Sequence, residues 1–272
     1  MTPVPGRSDH RRRTNTGYTR CSPRPSGGPV PDPSDDGPAP RIEPFGPVPA
    51  SPRGVVVVLH GGRSRSREPA HRGLAYLRML PFARVVKTRE TAVYLLRYRF
   101  RGWNDGARDA LRDAEWAVTE LGRVHPGVPI ALVGHSMGGR AALGAAGGDG
   151  VVAVCALAPW VEAAEPVAQL AGRAVVIAHG DRERMTDPAG SYAYAVHAKQ
   201  VTDRVARFDV LGDGHAMLRR AGDWSSLVRR FVLGELGIEP IDPEIANAMA
   251  EPSPTGLRVE LRKRDQYKGA AS

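Results

Sequence analysis

The run Pro129-Ile130-Ala131-Leu132-Val133-Gly134-His135-Ser136-Met137-Gly138-Gly139 constrains this chain more than any other stretch. An apolar strand breaks into G-H-S-M-G and continues as an Ala-rich helix. Turning a strand into a helix that sharply around a serine forces the Ser136 side chain into an exposed, strained position. Glycines flank it because a Cβ at either place would collide with the neighbouring strand or helix. The amide of Met137 then falls at a helix N-terminus, aimed where an oxyanion would form. A chain with 31 glycines meets G-x-S-x-G by chance, so the weight rests on the strand before it and the helix after it.

From Gly54 onward, apolar runs alternate with amphipathic stretches, the pattern of an α/β fold with a mostly parallel sheet and helices on both faces. The expected strands are Gly54–His60, Ala92–Arg99, Ile130–Gly134, Val151–Ala158, Ala174–His179 and Val205–Leu211. Several are unbroken Val/Ile/Leu/Ala runs, as strands covered on both faces require. The expected helices span Pro69–Leu80, Asp105–Val124, Met137–Ala146, Asp187–Thr202 and Asp223–Gly234. In the second, Ala110, Ala114, Ala117, Val118 and Leu121 recur at helical spacing. Asp187-Pro188 reads as a helix cap followed by proline at the first helical position. The link from Pro159 to Arg173 is too short to hold a lid domain.

The ends of the chain differ in composition. Residues 1–53 hold 13 of the 24 prolines and the cluster Arg11-Arg12-Arg13, so this segment is expected to be disordered. No apolar stretch follows those arginines, which argues against an export signal. The single domain is then expected over 54–236, with 237–272 a largely irregular extension containing at most a short helix over Ile241–Met249. The net charge of +9 is concentrated in the tails: residues 1–30 carry six Arg against one Asp. No helix-turn-helix, zinc ligand set or stacking aromatic motif accompanies that charge, so no specific nucleic-acid partner is expected. No run approaches a membrane span. Cys21, in the loose tail, and Cys155, in a strand, make a poor disulfide, so a cytoplasmic location is expected, with Cys155 a small core residue. Oligomeric state is not legible.

A serine hydroxyl becomes a strong nucleophile only when an imidazole accepts its proton, and that imidazole needs a carboxylate to orient it. After Ser136 the chain supplies both at later strand ends: Ala174–Ala178 runs into His179-Gly180-Asp181-Arg182-Glu183, and Val205–Leu211 into Gly212-Asp213-Gly214-His215. With V-V-L-H-G-G at the end of the first strand, these motifs resemble the α/β-hydrolase superfamily in its lidless, dienelactone-hydrolase-like or serine esterase form. The resemblance covers about residues 54–235.

It implies Ser136 as nucleophile, His215 as base, and the amides of Met137 and Gly62 as oxyanion donors. Its Gly-x-x-Asp pattern maps onto Gly180 and Glu183, with Glu one methylene longer than the usual Asp. Asp181 and Asp187 are the alternative acids. Dienelactone hydrolases proper use a cysteine nucleophile, so Ser136 argues against that particular activity. The implied function is cleavage of a carboxylic ester or related acyl bond in a small-molecule substrate, with no cofactor and no metal. A thioesterase or small peptidase would use the same triad, and a non-catalytic binding protein the same fold.

Other histidines have structural readings. His60 and His179 sit at strand ends beside glycine, His135 packs inside the turn, and His71, His125 and His197 are expected at the surface. Trp160 and Trp103 are placed to wall a substrate site, though Trp103 serves equally well as a loop brace. Arg63, Arg65, Arg67, Arg97, Arg99 and Arg101 form either a solvated basic rim or an attraction for an anionic ester.

Overall fold

The computed structural model describes residues 38–263. Its elements follow one another as β1 (Arg41–Pro44), β2 (Gly54–Leu59), α1 (Leu74–Leu77), α2 (Leu80–Val86), β3 (Thr91–Arg97), α3 (Asp109–Val124), β4 (Ile130–His135) and α4 (Met137–Gly144). The second half continues as β5 (Val151–Leu157), β6 (Ala174–Gly180), α5 (Pro188–Ala198), β7 (Val205–Val210), α6 (Ala221–Glu235), α7 (Pro243–Ala250) and β8 (Val259–Glu260). One sheet of eight strands runs in the order β1-β3-β2-β4-β5-β6-β7-β8. The β1–β3 pair is antiparallel and every other pair is parallel.

Strand alternation divides the core into two layers. Val55, Val57 and Leu59 of β2 face the side covered by α3, α4 and α5, where Ala114, Ala141 and Tyr194 pack. Val56 and Val58 face the other side with Phe82 of α2, Trp224 of α6 and Ile245 of α7. Every residue of β2, β4 and β6 is buried. That burial on both faces explains why these strands read as continuous apolar runs.

Four sequence expectations need correction. Residues 41–44 of the segment expected to be disordered form β1, paired with β3 in the sheet and tied to the α1 region by Glu43, which accepts from Tyr76 Oη at 2.6 Å and pairs with Arg72 at 3.0 Å. The helix expected over Pro69–Leu80 is two shorter helices: Pro81 restarts the chain in α2, which buries Phe82, Ala83 and Val86. The helix expected from Asp105 begins at Asp109, because Arg108 takes a left-handed conformation (φ 48°) after a short 3-10 turn. The C-terminal extension, where α7 overlaps the short helix read over Ile241–Met249, is not irregular beyond it: β8 joins the sheet beside β7. The calls on residues 1–37 and 264–272, Cys21 included, lie outside the described residues.

Candidate active site

Parallel strands deliver their C-terminal ends to one edge of the sheet, and four loops meet there. The first follows β4. Ser136 has φ 57° and ψ −119°, a left-handed backbone that a non-glycine residue adopts only when its surroundings fix it. Here they do. A Cβ on Gly134 would run into the Gly138 carbonyl, and one on Gly138 into the Leu59 and His60 carbonyls. The Ser136 amide donates to Leu157 O at 3.0 Å, and its carbonyl accepts from Arg140 N and Trp160 N at 3.1 Å each. The strain is distributed over β2, β4 and β5.

The second loop follows β2 and lies against the first. A Cβ on Gly61 would touch the Ser136 Cβ at 3.3 Å, and one on Gly62 would collide with the Met137 side chain and the Arg101 carbonyl. Arg63 donates its amide to Arg101 O at 2.8 Å and accepts at its carbonyl from Trp103 N at 2.9 Å, which pins this loop. Met137 opens α4, so its amide has no intrahelical acceptor. The Gly62 amide has none among the described residues. Two free amides therefore flank Ser136.

The third and fourth loops follow β6 and β7. His215 Nδ1 lies 2.9 Å from Glu183 Oε2. The Glu183 carboxylate is fully buried, and its other oxygen accepts from the amides of Arg184 at 2.7 Å and Met185 at 2.6 Å. Burial by itself would raise this carboxyl, but those amides and the His215 ring outweigh it and hold Glu183 below its ordinary 4.5. Asp181 accepts from Gly212 N at 2.6 Å, and Asp187 caps α5 through Ala189 N and Gly190 N. Of the three carboxylates, Glu183 is the one on the imidazole.

Ser136 and His215 are not hydrogen-bonded to each other; His135 bridges their loops. Its Nε2 lies 2.9 Å from the His215 carbonyl, and the two rings stand 4.6 Å apart. Burial and the neighbouring His215 push His135 down to about 3, so it is neutral. His60 and His179 are neutral for the same first cause, each at about 4. His179 stands behind the acid: it contacts Ser191 Oγ and Thr186 Oγ1, and the Thr186 amide reaches Glu183.

The two tryptophans pack on one arginine. Trp103, 5% exposed, offers a ligand almost no surface. It and the half-buried Trp160 clamp Arg140, whose guanidinium carbon lies 4.3 Å and 4.5 Å from the two rings. Arg140 also pairs with Glu165 at 2.8 Å. Arg140 escaped the sequence reading, although it lies one helical turn beyond Ser136. His125, expected at the surface, is buried against Tyr94 Oη at 2.7 Å. Cys155 is fully buried and its thiol pushed up by burial, which leaves it unreactive.

Much of the expected basic rim is neutralised. Arg99 is buried on Asp113, Arg97 meets Glu43, Arg65 meets Asp105, and Arg101 meets Glu68. Among the described residues no three His, Cys, Asp or Glu side chains converge to hold a metal ion, and no helix is long and apolar enough to cross a membrane.

A sequence model of the Alpha/beta hydrolase family matches residues 56–264. The chain belongs to that family. Solved structures agree on the fold of this hydrolase. A protein of unknown function from Agrobacterium tumefaciens superposes with TM-score 0.57 at 16% identity, over 76% of this chain and 96% of that one. An alpha/beta serine hydrolase without lid from Xanthomonas campestris gives 0.54 at 18%, over 75% and 90%. A thermophilic esterase from Thermogutta terrifontis gives 0.55 at 17%, over 75% and 91%. No curated protein matches the hydrolase by sequence.

Proposed function

We propose that this hydrolase cleaves a carboxylic ester or related acyl bond through an acyl-enzyme on Ser136. The observation that carries the reading is the Glu183–His215 pair: a buried carboxylate on Nδ1 fixes the tautomer that leaves Nε2 free to accept a proton. Ser136 Oγ attacks the carbonyl carbon and gives its proton to His215 Nε2. The carbonyl oxygen becomes an oxyanion held by the Gly62 and Met137 amides. When the tetrahedral species collapses, the bond to the alcohol oxygen breaks and that oxygen takes the proton from His215. Water then gives a proton to His215, attacks the acyl carbon and releases the acid, returning Ser136 to its hydroxyl form. Trp160, beside Ser136, supplies an apolar edge for the substrate, while Trp103 acts through Arg140.

The test is Ser136→Ala. Turnover of p-nitrophenyl esters should fall on the order of 10⁴–10⁶-fold with the melting temperature nearly unchanged. A fluorophosphonate should label Ser136 in the parent protein and leave the variant unlabelled. Label on another residue, or turnover that survives the substitution, removes the mechanism.

A further inference from the structure

We propose that the alcohol half of the substrate carries an anionic group, received by Arg182, Arg184 and Arg219 beside His215. This deepens the acyl-transfer reading and rests on it.

A cavity of about 510 Å³ opens next to His215; its wall holds these three arginines, Leu218 and the carboxylate of Asp213. Arg182 and Arg184 flank Glu183 in the turn after β6, and Arg219 follows the His215 loop. All three are exposed, and none forms an ion pair among the described residues.

The carboxylates around them are occupied. Asp213, 3% exposed, accepts from Gly214 N at 2.9 Å, Arg220 N at 2.9 Å and Trp224 Nε1 at 3.0 Å. Glu183 is spent on His215 and the amides of its own turn. Asp181 is turned to Gly212 N and forms no ion pair among the described residues. Arg220, next in sequence to Arg219 but outside the cavity lining, is by contrast matched to Asp223 at 2.7 Å. Asp181, Asp213 and Glu183 are turned to backbone amides, Trp224 and His215 rather than to the three guanidiniums, which leaves the guanidinium donors open to a bound anion.

The chemistry fixes which half of the substrate lies there. His215 must hand its proton to the departing alcohol oxygen, so the alcohol half leaves on the His215 side. The acyl half has a separate space on the oxyanion side, a cavity of about 450 Å³ lined by Gly61, Gly62 and Leu74 with Arg63 and the Glu68-paired Arg101 at its wall, so it holds fewer open guanidiniums than the His215 side. Leu218, 73% exposed, gives the carbon body of the alcohol an apolar contact between the arginines.

The experiment moves one charge between the two halves of small esters. In the alcohol series, 4-acetoxybenzoate and 4-acetoxyphenyl phosphate are compared with neutral 4-acetoxybenzamide. In the acyl series, p-nitrophenyl hemisuccinate is compared with p-nitrophenyl butyrate. Each kcat/KM is divided by the ester's own rate of alkaline hydrolysis. The expected anionic-to-neutral ratio is about tenfold in the alcohol series, falls as salt rises, and is near one in the acyl series. The faster of the two anionic acetates identifies carboxylate or phosphate as the preferred group.

The ratio should collapse toward one in Arg182→Gln/Arg184→Gln/Arg219→Gln. It should fall part of the way in Arg219→Gln, which leaves the Glu183 turn intact. A ratio near one in the parent protein, a ratio that survives the triple substitution, or a stronger preference in the acyl series overturns the inference while Ser136-dependent turnover stands. Failure to cleave any ester removes the proposed function and this inference with it.

Discussion

The elbow around Ser136 and the arm that carries Glu183 and His215 reach the same sheet edge by different physics. The elbow has almost no side-chain hydrogen bonding. It is a backbone shape, enforced by the approach of Gly134 and Gly138 to neighbouring carbonyls and by main-chain hydrogen bonds to β5. The arm is assembled from side chains: Glu183 on His215, Thr186 and His179 behind the acid, and Asp213 tying the His215 loop to Trp224. A shape made of backbone tolerates no added atom. A polar network tolerates added atoms but not the loss of a proton or a charge.

That contrast is broken most directly at Gly138. Gly138→Ala should destabilise the protein by about 3 kcal/mol or more, because the new Cβ meets backbone on β2 that cannot rotate away. Urea unfolding with an intact melting transition near the parent value would show that the elbow yields, and would weaken the claim that shape holds Ser136.

The arm should fail in activity rather than in folding. Glu183→Gln keeps the volume but offers His215 Nδ1 the wrong partner and no support for the imidazolium. The expected loss in kcat is roughly 10³–10⁴-fold, with a melting temperature close to the parent's. A kcat within a few-fold of the parent would remove Glu183 from the proposed triad.

The same division governs what the sequence discloses. The elbow is contiguous, so strand, glycines, serine and helix can be read from one stretch of eleven residues. The central strands are legible because both faces are covered, which leaves runs such as Val55–Leu59 without polar interruptions. The first strand is not, since Arg41-Ile42-Glu43-Pro44 lies among prolines and joins the sheet through long-range pairing with β3. Nor is the clamp on Arg140, because it depends on where two loops, one after β3 and one after β5, bring Trp103, Trp160 and Glu165. Asp181, Glu183 and Asp187 illustrate the limit. All three follow β6, and spacing orders them without settling which way each side chain turns.

Buried neutral histidines belong to both regions, so acid tests the two together. His60, His135 and His179 resist protonation until about pH 4, 3 and 4, first because they are desolvated. Unfolded, each takes a proton near its ordinary 6.5, so their contribution is complete above that value and is lost as pH falls below it. Asp113 opposes them: burial raises it to about 6, so the folded protein binds one proton there that the unfolded chain lacks above 3.8. For these four groups taken together, the balance near pH 5 is about two more protons on the unfolded chain. Stability should therefore fall by at most about 3 kcal/mol per pH unit between roughly 6 and 4. Urea midpoints across that range check the slope, and a flat profile would show that these imidazoles are solvated.

The smallest effects are expected at the two carboxylates that share the turn with Glu183, and they sharpen the comparison most. Asp187 is a helix cap, accepting from Ala189 N at 2.9 Å and Gly190 N at 3.0 Å just before Pro188. Asn caps helices about as well as Asp, so Asp187→Asn should leave stability nearly unchanged, while Asp187→Ala should cost about 1 kcal/mol. Asp181 links the turn after β6 to the turn after β7 through Gly212 N, and Asn retains the accepting oxygen. Both Asn variants should keep kcat within about twofold, since neither carboxylate touches His215. The order of loss in kcat is then Glu183→Gln far above Asp181→Asn and Asp187→Asn. If either Asp variant loses more than Glu183→Gln, the orienting acid lies elsewhere in this turn and Glu183 is a brace for the amides of Arg184 and Met185. The proposed Ser136–His215 pair would survive that result, because the elbow that presents Ser136 is built without any of these carboxylates.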